Sequence, residues 1–415
     1  MSAAIDTRQI HSCEVCGNDK LRPSLDLGAH PLCDDLVAID DPRRCEEYPI
    51  EIMLCERCLT AHQRYQVPKR TLFPSSYHYR SRFTADVLSG MKDLVQTCED
   101  RFGPLKDKFA LDVGCNDGSL LDFFRERGAV TAGIEPTCAG VDGIAKGHAI
   151  TQAFLSPEVA QEIVARSGKP HIITFTNVFA HIENLNEVVA ALKVLIGEKT
   201  VLVIENHYLG AVLDKSQFDT FYHEHPRTYS CTSFVHIARM LGLALVNVEF
   251  PSRYGGNIRV CLGPDSAKRE AVSIDSVLQI EAGFPARFDE LQQKVGIWKQ
   301  NKTAELQALV ANHGPLRAKA FPGRAAILIK LLGLGETTIK AVHEKPGSMK
   351  IGHYLPGTRI PIYSDDDLFA GDLSEPLVNL AWHISREIRT YLAAHDYSGP
   401  IVDILTESDF KIRTP

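Results

Sequence analysis

The sequence predicts an α/β protein with a metal-stapled N-terminal module, and three observations carry that prediction. From about residue 83 onward, apolar strand-length runs alternate with amphipathic helical stretches. Two Cys-x-x-Cys pairs, Cys13 with Cys16 and Cys55 with Cys58, lie near the start. A glycine turn, Asp112-Val113-Gly114-Cys115-Asn116-Asp117-Gly118, follows an apolar run and opens a helix.

The bulk properties narrow the class. At 415 residues the chain is too long for one core, so two or three domains are expected. A net charge of −7 with no basic block argues against nucleic acid as a partner. No apolar run approaches the ~20 residues that span a bilayer. The first residues lack the charged-then-apolar order of a signal peptide, so the cytoplasm is the expected compartment. There the eleven cysteines are expected as thiols or metal ligands rather than disulfides.

The elements follow in order. The first ~75 residues carry Pro23, Gly28, Pro31, Pro42 and Pro49 with little helical periodicity, and read as loops and short strands. Such a segment buries little core, so a metal staple suits it. Residues 84–101 have helical spacing of Val87, Leu88, Met91, Leu94 and Val95. Strands are expected at 109–113, 130–134, 172–175 and 201–204, with helices at 119–127, around 138–147 and at 186–196. This alternation implies a parallel sheet covered on both faces, closed by strands at 245–250 and 257–262. A polar helical connector spans about 273–311. A second alternating pattern runs from 325, with strands at 339–343, 359–363, 379–382 and 401–404 and a helix at 384–394.

The motifs carry the chemistry. Two Cys-x-x-Cys knuckles place four thiolates around one tetrahedral Zn²⁺; the alternative is a set of redox or unrelated thiols. Cys33 and Cys45 are spare, His11 and His62 are weaker competitors, and a closed four-thiolate site is structural. At the glycine turn, Gly114 lets the backbone turn sharply beside a ligand. The strand at 130–134 ends in Glu135-Pro136, where an acidic side chain can accept from ribose hydroxyls. Turn and acidic strand end together suit S-adenosylmethionine, which has a ribose and no phosphates. The expected cofactor residues are Asp112, Gly114, Asn116, Asp117, Glu135, Pro136, Asn177 and His181, the last two at the carboxyl end of the 172–175 strand. For His181, a packed structural histidine is the competing reading. The densest polar cluster is Phe218-Asp219-Thr220-Phe221-Tyr222-His223-Glu224-His225, after the segment Glu205-Asn206-His207-Tyr208. Histidine is the usual proton shuttle, and a nearby tyrosine can donate to an oxyanion. A surface helix and a His-x-His metal site are the competing readings.

At these residues the chain resembles the S-adenosylmethionine-dependent sugar C-methyltransferases that act on nucleotide-linked 4-keto-6-deoxyhexoses, as in the tetronitrose pathway. The resemblance runs through the cysteine knuckles, Leu27-Gly28-Ala29-His30-Pro31-Leu32, the glycine turn, Glu135-Pro136, and Asn177 with His181. It is most specific at Phe218-Asp219 with Tyr222-x-Glu224-His225, and continues at Leu355-Pro356-Gly357-Thr358-Arg359-Ile360-Pro361-Ile362. It implies a zinc module (1–75), a Rossmann-like class I methyltransferase domain (76–268), a helical connector (269–315) and a C-terminal Rossmann-like domain that helps hold the sugar nucleotide (316–415). It further implies His225 as the base, flanked by Tyr222 and Glu224, and Tyr77 and Tyr79 on the substrate side. Two turns depart from the family: Tyr254-Gly255-Gly256-Asn257 replaces a His-Gly-Gly turn, and Phe321-Pro322-Gly323-Arg324 replaces a Gly-Tyr-Gly-Ala turn. Asn206, Tyr254, Arg324, Lys350 and Arg359 are the remaining expected substrate contacts, with Lys345 as further phosphate-facing charge; a solvated surface is the alternative for the cations.

The expected reaction is proton removal by His225 from the carbon beside a ketone, then methyl transfer to that carbon. The expected partner is a nucleotide-linked sugar, with no nucleic acid and no membrane, and the chain is expected as a monomer or small homo-oligomer. An O- or N-methyltransferase on another small molecule is the first rival. A zinc-ribbon binding protein without catalysis is the second.

Overall fold

The computed structural model describes residues 7–73, 80–83, 85–265 and 274–411. The N-terminal module is built on a long hairpin of β1 (Arg22–Pro31) and β2 (Glu47–Cys55), with β3 (Thr60–Gln63) beside β2. This differs from the short strands expected. Pro23, Gly28 and Pro31 lie inside β1 and Pro49 inside β2, where register shifts at Pro23/Leu25 and Asp26/Gly28 bulge the ladder. Bulges let a strand carry residues that otherwise end one, and Gly28 takes its φ of 81° there.

The central domain begins with helix α1 (Ala85–Phe102) and continues through β4 (Phe109–Val113), α2 (Ser119–Glu126), β5 (Val130–Ile134), α3 (Gly140–Ala145), β6 (Ala149–Thr151), α4 (Pro157–Ser167), β7 (Ile172–Thr176), α5 (Leu185–Leu195), β8 (Val201–His207) and α6 (Leu209–Asp214). Then come β9 (Arg227–Thr228), α7 (Cys231–Leu241), β10 (Ala244–Glu249) and β11 (Asn257–Gly263). The sheet order is β10-β11-β8-β7-β4-β5-β6. Its five strands β4 to β8 are parallel, and β11 inserts antiparallel between β8 and β10. β4 and β8 are apolar without alternation because helices cover both faces, as expected of a buried parallel sheet. Cap chemistry sets the helix starts: Ser156 accepts from the Val159 amide with Pro157 at the first position, and Ser230 with Ser233 forms a capping box. β9 leaves this sheet and pairs antiparallel with β3, Arg227 opposite His62, so the central domain contributes the edge strand of the zinc module's sheet.

The polar stretch forms α8 (Ile274–Glu281) and the long α9 (Phe284–His313). The C-terminal domain is a parallel sheet, β14-β13-β12-β15-β16, of β12 (Leu316–Lys319), β13 (Ile339–Glu344), β14 (Ile362–Ser364), β15 (Leu377–Asn379) and β16 (Ile401–Asp403). Helices α10 (Ala325–Leu332) and α11 (Ser385–Ala393) accompany it. β12 was not expected, because its Arg317 and Lys319 hide a buried strand; Lys319 pairs with buried Asp365 at 2.9 Å. The strand expected at 379–382 ends at Asn379 instead, since the Asn379 side chain caps the Ala381 amide and bonds Asp403. Phe284, Phe288 and Trp298 of α9 share one core with the apolar face of β1 and β2 and with the C-terminal sheet, so three modules close around a common interior. Among the described residues no helix is long and apolar enough to cross a membrane.

Candidate functional site

The carboxyl ends of β4, β5, β7 and β8 open into a cleft of about 1690 Å³, whose other walls come from residues 32–48 and from the C-terminal domain. Ligands bind at this end of open α/β sheets. Gly114, Asn116, Glu135, Pro136, Asn177 and His181 line it. Gly114 has φ 72°, and a Cβ there would stand 2.5 Å from Val178, so only glycine fits this turn. The Asn116 amide donates to Glu135 Oε2 at 2.9 Å, while the Thr137 amide and hydroxyl hold Oε1. This fixes the carboxylate at the strand end. Asp112 and Asp117 do not line the cleft. Asp112 is buried in β4, accepts from the Thr174 hydroxyl at 2.7 Å, and burial pushes its carboxyl up to about 7. Asp117 is taken up by Ser119 and the Arg82 amide, and so builds the turn rather than its ligand face.

The loop before β9 carries the titratable groups. Tyr222, Glu224 and His225 all line the cleft. The His225 amide bonds the Tyr222 carbonyl at 2.9 Å, and the two rings lie 4.3 Å apart. His225 Nδ1 is 3.0 Å from the Thr220 carbonyl. A carbonyl accepts only, so Nδ1 carries the hydrogen and Nε2 keeps the lone pair. Burial, then neighbouring His181 and His207, holds the imidazole well below its ordinary range, so it is neutral. The ring centroids of His181 and His207 lie 4.8 and 5.4 Å away. His181 Nδ1 is in turn pinned by the Glu224 carbonyl at 2.7 Å. Burial, with Asp34 adding, pushes the Glu224 carboxyl up to about 8. Asn206, at the end of β8, is buried in the cleft wall, and neither atom of its carboxamide has a partner among the described residues.

The zinc module grips this loop. The Gln63 amide donates to the Pro226 carbonyl at 2.9 Å, its side chain reaches the Tyr222 carbonyl at 3.3 Å, and His223 Nε2 bonds the Tyr48 carbonyl at 3.0 Å. Below it, the Sγ atoms of Cys13, Cys16, Cys55 and Cys58 lie within 4.8 Å of one another. Tetrahedral Zn–S bonds of about 2.3 Å require sulfurs roughly 3.8 Å apart, so the quartet fits that ion. His62 is not a fifth ligand: its Nε2 stands 3.3 Å from Cys13 Sγ, a donor's position, and Asn18 and Thr60 approach Cys55 and Cys58 in the same way. Cys33 and Cys45 lie outside the quartet.

Residues 13–73 match a family model described as a zinc binding domain, residues 83–248 one described as a methyltransferase domain, and residues 252–402 one described as a C-methyltransferase C-terminal domain. C-methyltransferase NovU of Streptomyces niveus is 28% identical over 389 residues, covering 92% of each chain. Over these regions the chain carries the domains of a C-methyltransferase. It is an S-adenosylmethionine-dependent enzyme with a zinc-binding N-terminal domain. Among solved structures, magnesium protoporphyrin IX methyltransferase from Synechocystis PCC 6803 with bound SAM is 15% identical, with a TM-score of 0.33 over 43% of this chain and 80% of that one. A SAM dependent methyltransferase from Archaeoglobus fulgidus is 17% identical, with a TM-score of 0.31 over 38% and 72%.

The donor set of this C-methyltransferase fits its cofactor: a fixed carboxylate at Glu135, an open glycine turn at Gly114, and Asn177 held at φ 54° by the Glu205 carbonyl and Asn257. The expected substrate residues divide. Asn206, Arg324 and Lys350 line the cleft. The Arg324 guanidinium, however, is committed to Asp219 at 2.8 and 2.6 Å, and Lys350 donates to the Phe321 carbonyl at 2.6 Å. Arg359 lies outside the cleft, spent on the carbonyls of Asp41, Pro42 and Arg43 at 2.7–2.8 Å. Tyr77, Tyr79 and the Tyr254 side chain lie outside the described residues. Two cleft residues escaped sequence reasoning: His383, whose buried Nδ1 has no partner among the described residues, and Asp34 beside Glu224. Neither stands in a motif, and only the domain packing brings them to the site.

Proposed function

We propose that the enzyme methylates the carbon beside the ketone of a nucleotide-linked sugar, with His225 as the base. One observation supports this most: a buried neutral imidazole on the cleft wall whose Nδ1–H is engaged by the Thr220 carbonyl, leaving Nε2 as the acceptor. Nε2 takes the proton from the carbon next to the carbonyl, and the C–H electron pair becomes the enolate. Tyr222 or a neighbouring donor stabilises the enolate oxygen. The enolate carbon then forms the new C–C bond with the methyl group. S-adenosylmethionine supplies that methyl on a sulfonium that leaves as a neutral thioether. The protein's share is deprotonation, alignment and exclusion of water. Neutral His181 and His207 beside the base, with His383 elsewhere in the cleft lining, suit a carbanionic step, since none competes as an acid near neutral pH; burial holds His207 and His383 down to about 3 and about 4. The Asn206 amide, without a partner among the described residues, is suited to a hydroxyl of the sugar.

The test is product mass spectrometry after incubation with a panel of nucleotide ketosugars and methyl-labelled donor. A product one methyl heavier, with the label retained on carbon after mild acid and base treatment, is expected. Label on oxygen or nitrogen would assign the rival chemistry.

A further inference from the structure

We propose that Asp219 is a positioning residue: gripped by Arg324 and Trp382 of the C-terminal domain, it fixes the loop that orients His225 and sets its tautomer. The inference rests on His225 being the base.

The geometry carries it. Asp219 is fully buried. Its Oδ2 accepts from Arg324 Nε at 2.8 Å and from Trp382 Nε1 at 2.8 Å, and its Oδ1 accepts from Arg324 Nη2 at 2.6 Å. A two-point fork plus an indole N–H defines the plane of a carboxylate, not only its charge. Arg324 also stacks over the Trp382 ring at 5.2 Å. The next residue, Thr220, offers its carbonyl to His225 Nδ1 and ties its own hydroxyl to the Gln217 carbonyl at 2.8 Å. One peptide unit therefore separates the interdomain latch from the bond that chooses the tautomer. The far end of the loop is held by Gln63 and the β3–β9 pairing, so the loop is anchored at both ends by different domains. A buried ion pair is a poor stabiliser compared with packed apolar groups, and its characteristic contribution is a unique geometry. Because its fork is occupied by Asp219, Arg324 acts here on the loop rather than as a phosphate clamp.

Arg324 leaves a second signature. The groups facing His225 are the rings of His181, His207 and Tyr222, the neighbouring Glu224, and the Arg324 cation. A nearby cation disfavours imidazolium, so removing it raises the pH at which His225 protonates.

The experiment uses the full-length holoenzyme with Asp219→Asn, Arg324→Gln, Arg324→Lys and Trp382→Phe. The ¹⁵N shifts of histidine-labelled, S-adenosylhomocysteine-bound protein report the tautomer, with the His225 signals assigned by their loss in His225→Gln. Wild type is expected in the Nδ1–H form, and Asp219→Asn and Arg324→Gln in a mixture, with unchanged cofactor affinity. Turnover (kcat) should fall roughly 10–100-fold in both. The acid limb of kcat/KM should move to higher pH in Arg324→Gln and stay in place in Arg324→Lys, which keeps the charge but loses the fork. Trp382→Phe removes one donor and no charge; it should show a smaller loss in kcat, and it carries the test if the charge variants do not fold. Wild-type tautomer and kcat in folded variants would overturn the latch. So would a loss confined to KM for the sugar nucleotide, which would make Arg324 a substrate ligand. If wild type methylates no ketosugar, the proposed reaction fails, while the ¹⁵N shifts still decide the latch.

Discussion

The cysteine quartet and the cleft above it are built on opposite plans. The quartet draws four like ligands from two short local motifs, and the polar groups around it, His62, Asn18 and Thr60, already reach toward its sulfurs. The cleft gathers unlike groups from three domains and leaves the Asn206 carboxamide and His383 Nδ1 without partners among the described residues. A site meant to hold one ion permanently is closed. A site meant to receive and release ligands keeps polar capacity in reserve, at a cost in stability.

The largest expected effect comes from breaking the closed site. Structural zinc in such a module is worth about 10–16 kcal/mol of apparent folding free energy. Cys55→Ser, or strong chelation, should release the metal and abolish turnover as well, because Gln63 and β3 carry one end of the loop that bears His225. Metal content and activity measured together check this; full activity in metal-free protein would separate the two sites. Next is the proposed base. His225→Gln should lower kcat by about 10²–10⁴-fold with cofactor affinity intact by calorimetry.

Asn206→Leu sharpens the contrast. It should lower kcat/KM by about 10-fold while the melting temperature holds or rises, because a buried amide without partners among the described residues is removed. Loss of stability there would mean the amide is structural. A smaller effect is expected from pH. Burial holds His207 to about 3, and His223 and His383 to about 4, with His225 also depressed. The unfolded chain binds these protons near pH 6.5 and the native state only at much lower pH. Stability is therefore fully present above about 6.5 and falls as pH drops toward 4, which thermal melts across that range, with metal content followed, would read. The smallest effect is Arg359→Ala, which frees the 41–43 segment of the cleft's outer wall without removing a lining side chain and should cost on the order of 1 kcal/mol of stability, read by thermal melts.

The same contrast explains what could be read from the chain. The quartet is two local Cys-x-x-Cys spacings, and Gly114 and Glu135 each stand directly after an apolar strand, β4 and β5. The parallel strands β4, β5, β7 and β8 were legible because burial on both faces leaves apolar runs, whereas the short, half-exposed edge strand β6 was not expected. β12 was not, since Arg317 and Lys319 read as surface until their acidic partners fold over them. The long β1–β2 hairpin was hidden by Pro23 and Gly28, which its bulges absorb, and by Pro31 and Pro49. The Asp219–Arg324 latch joins residues 105 apart, and Trp382 lies farther still, so no pattern in either segment announces it. Arg324 looked like a phosphate ligand because sequence shows a cation and not its partner.

The most direct test of the account is hydrogen exchange at the carbon to be methylated. In D₂O, with S-adenosylhomocysteine in place of the methyl donor, wild-type enzyme should wash solvent deuterium into the ketosugar beside its carbonyl, and His225→Gln should not. A methylated product that keeps every original C–H of the substrate would contradict it.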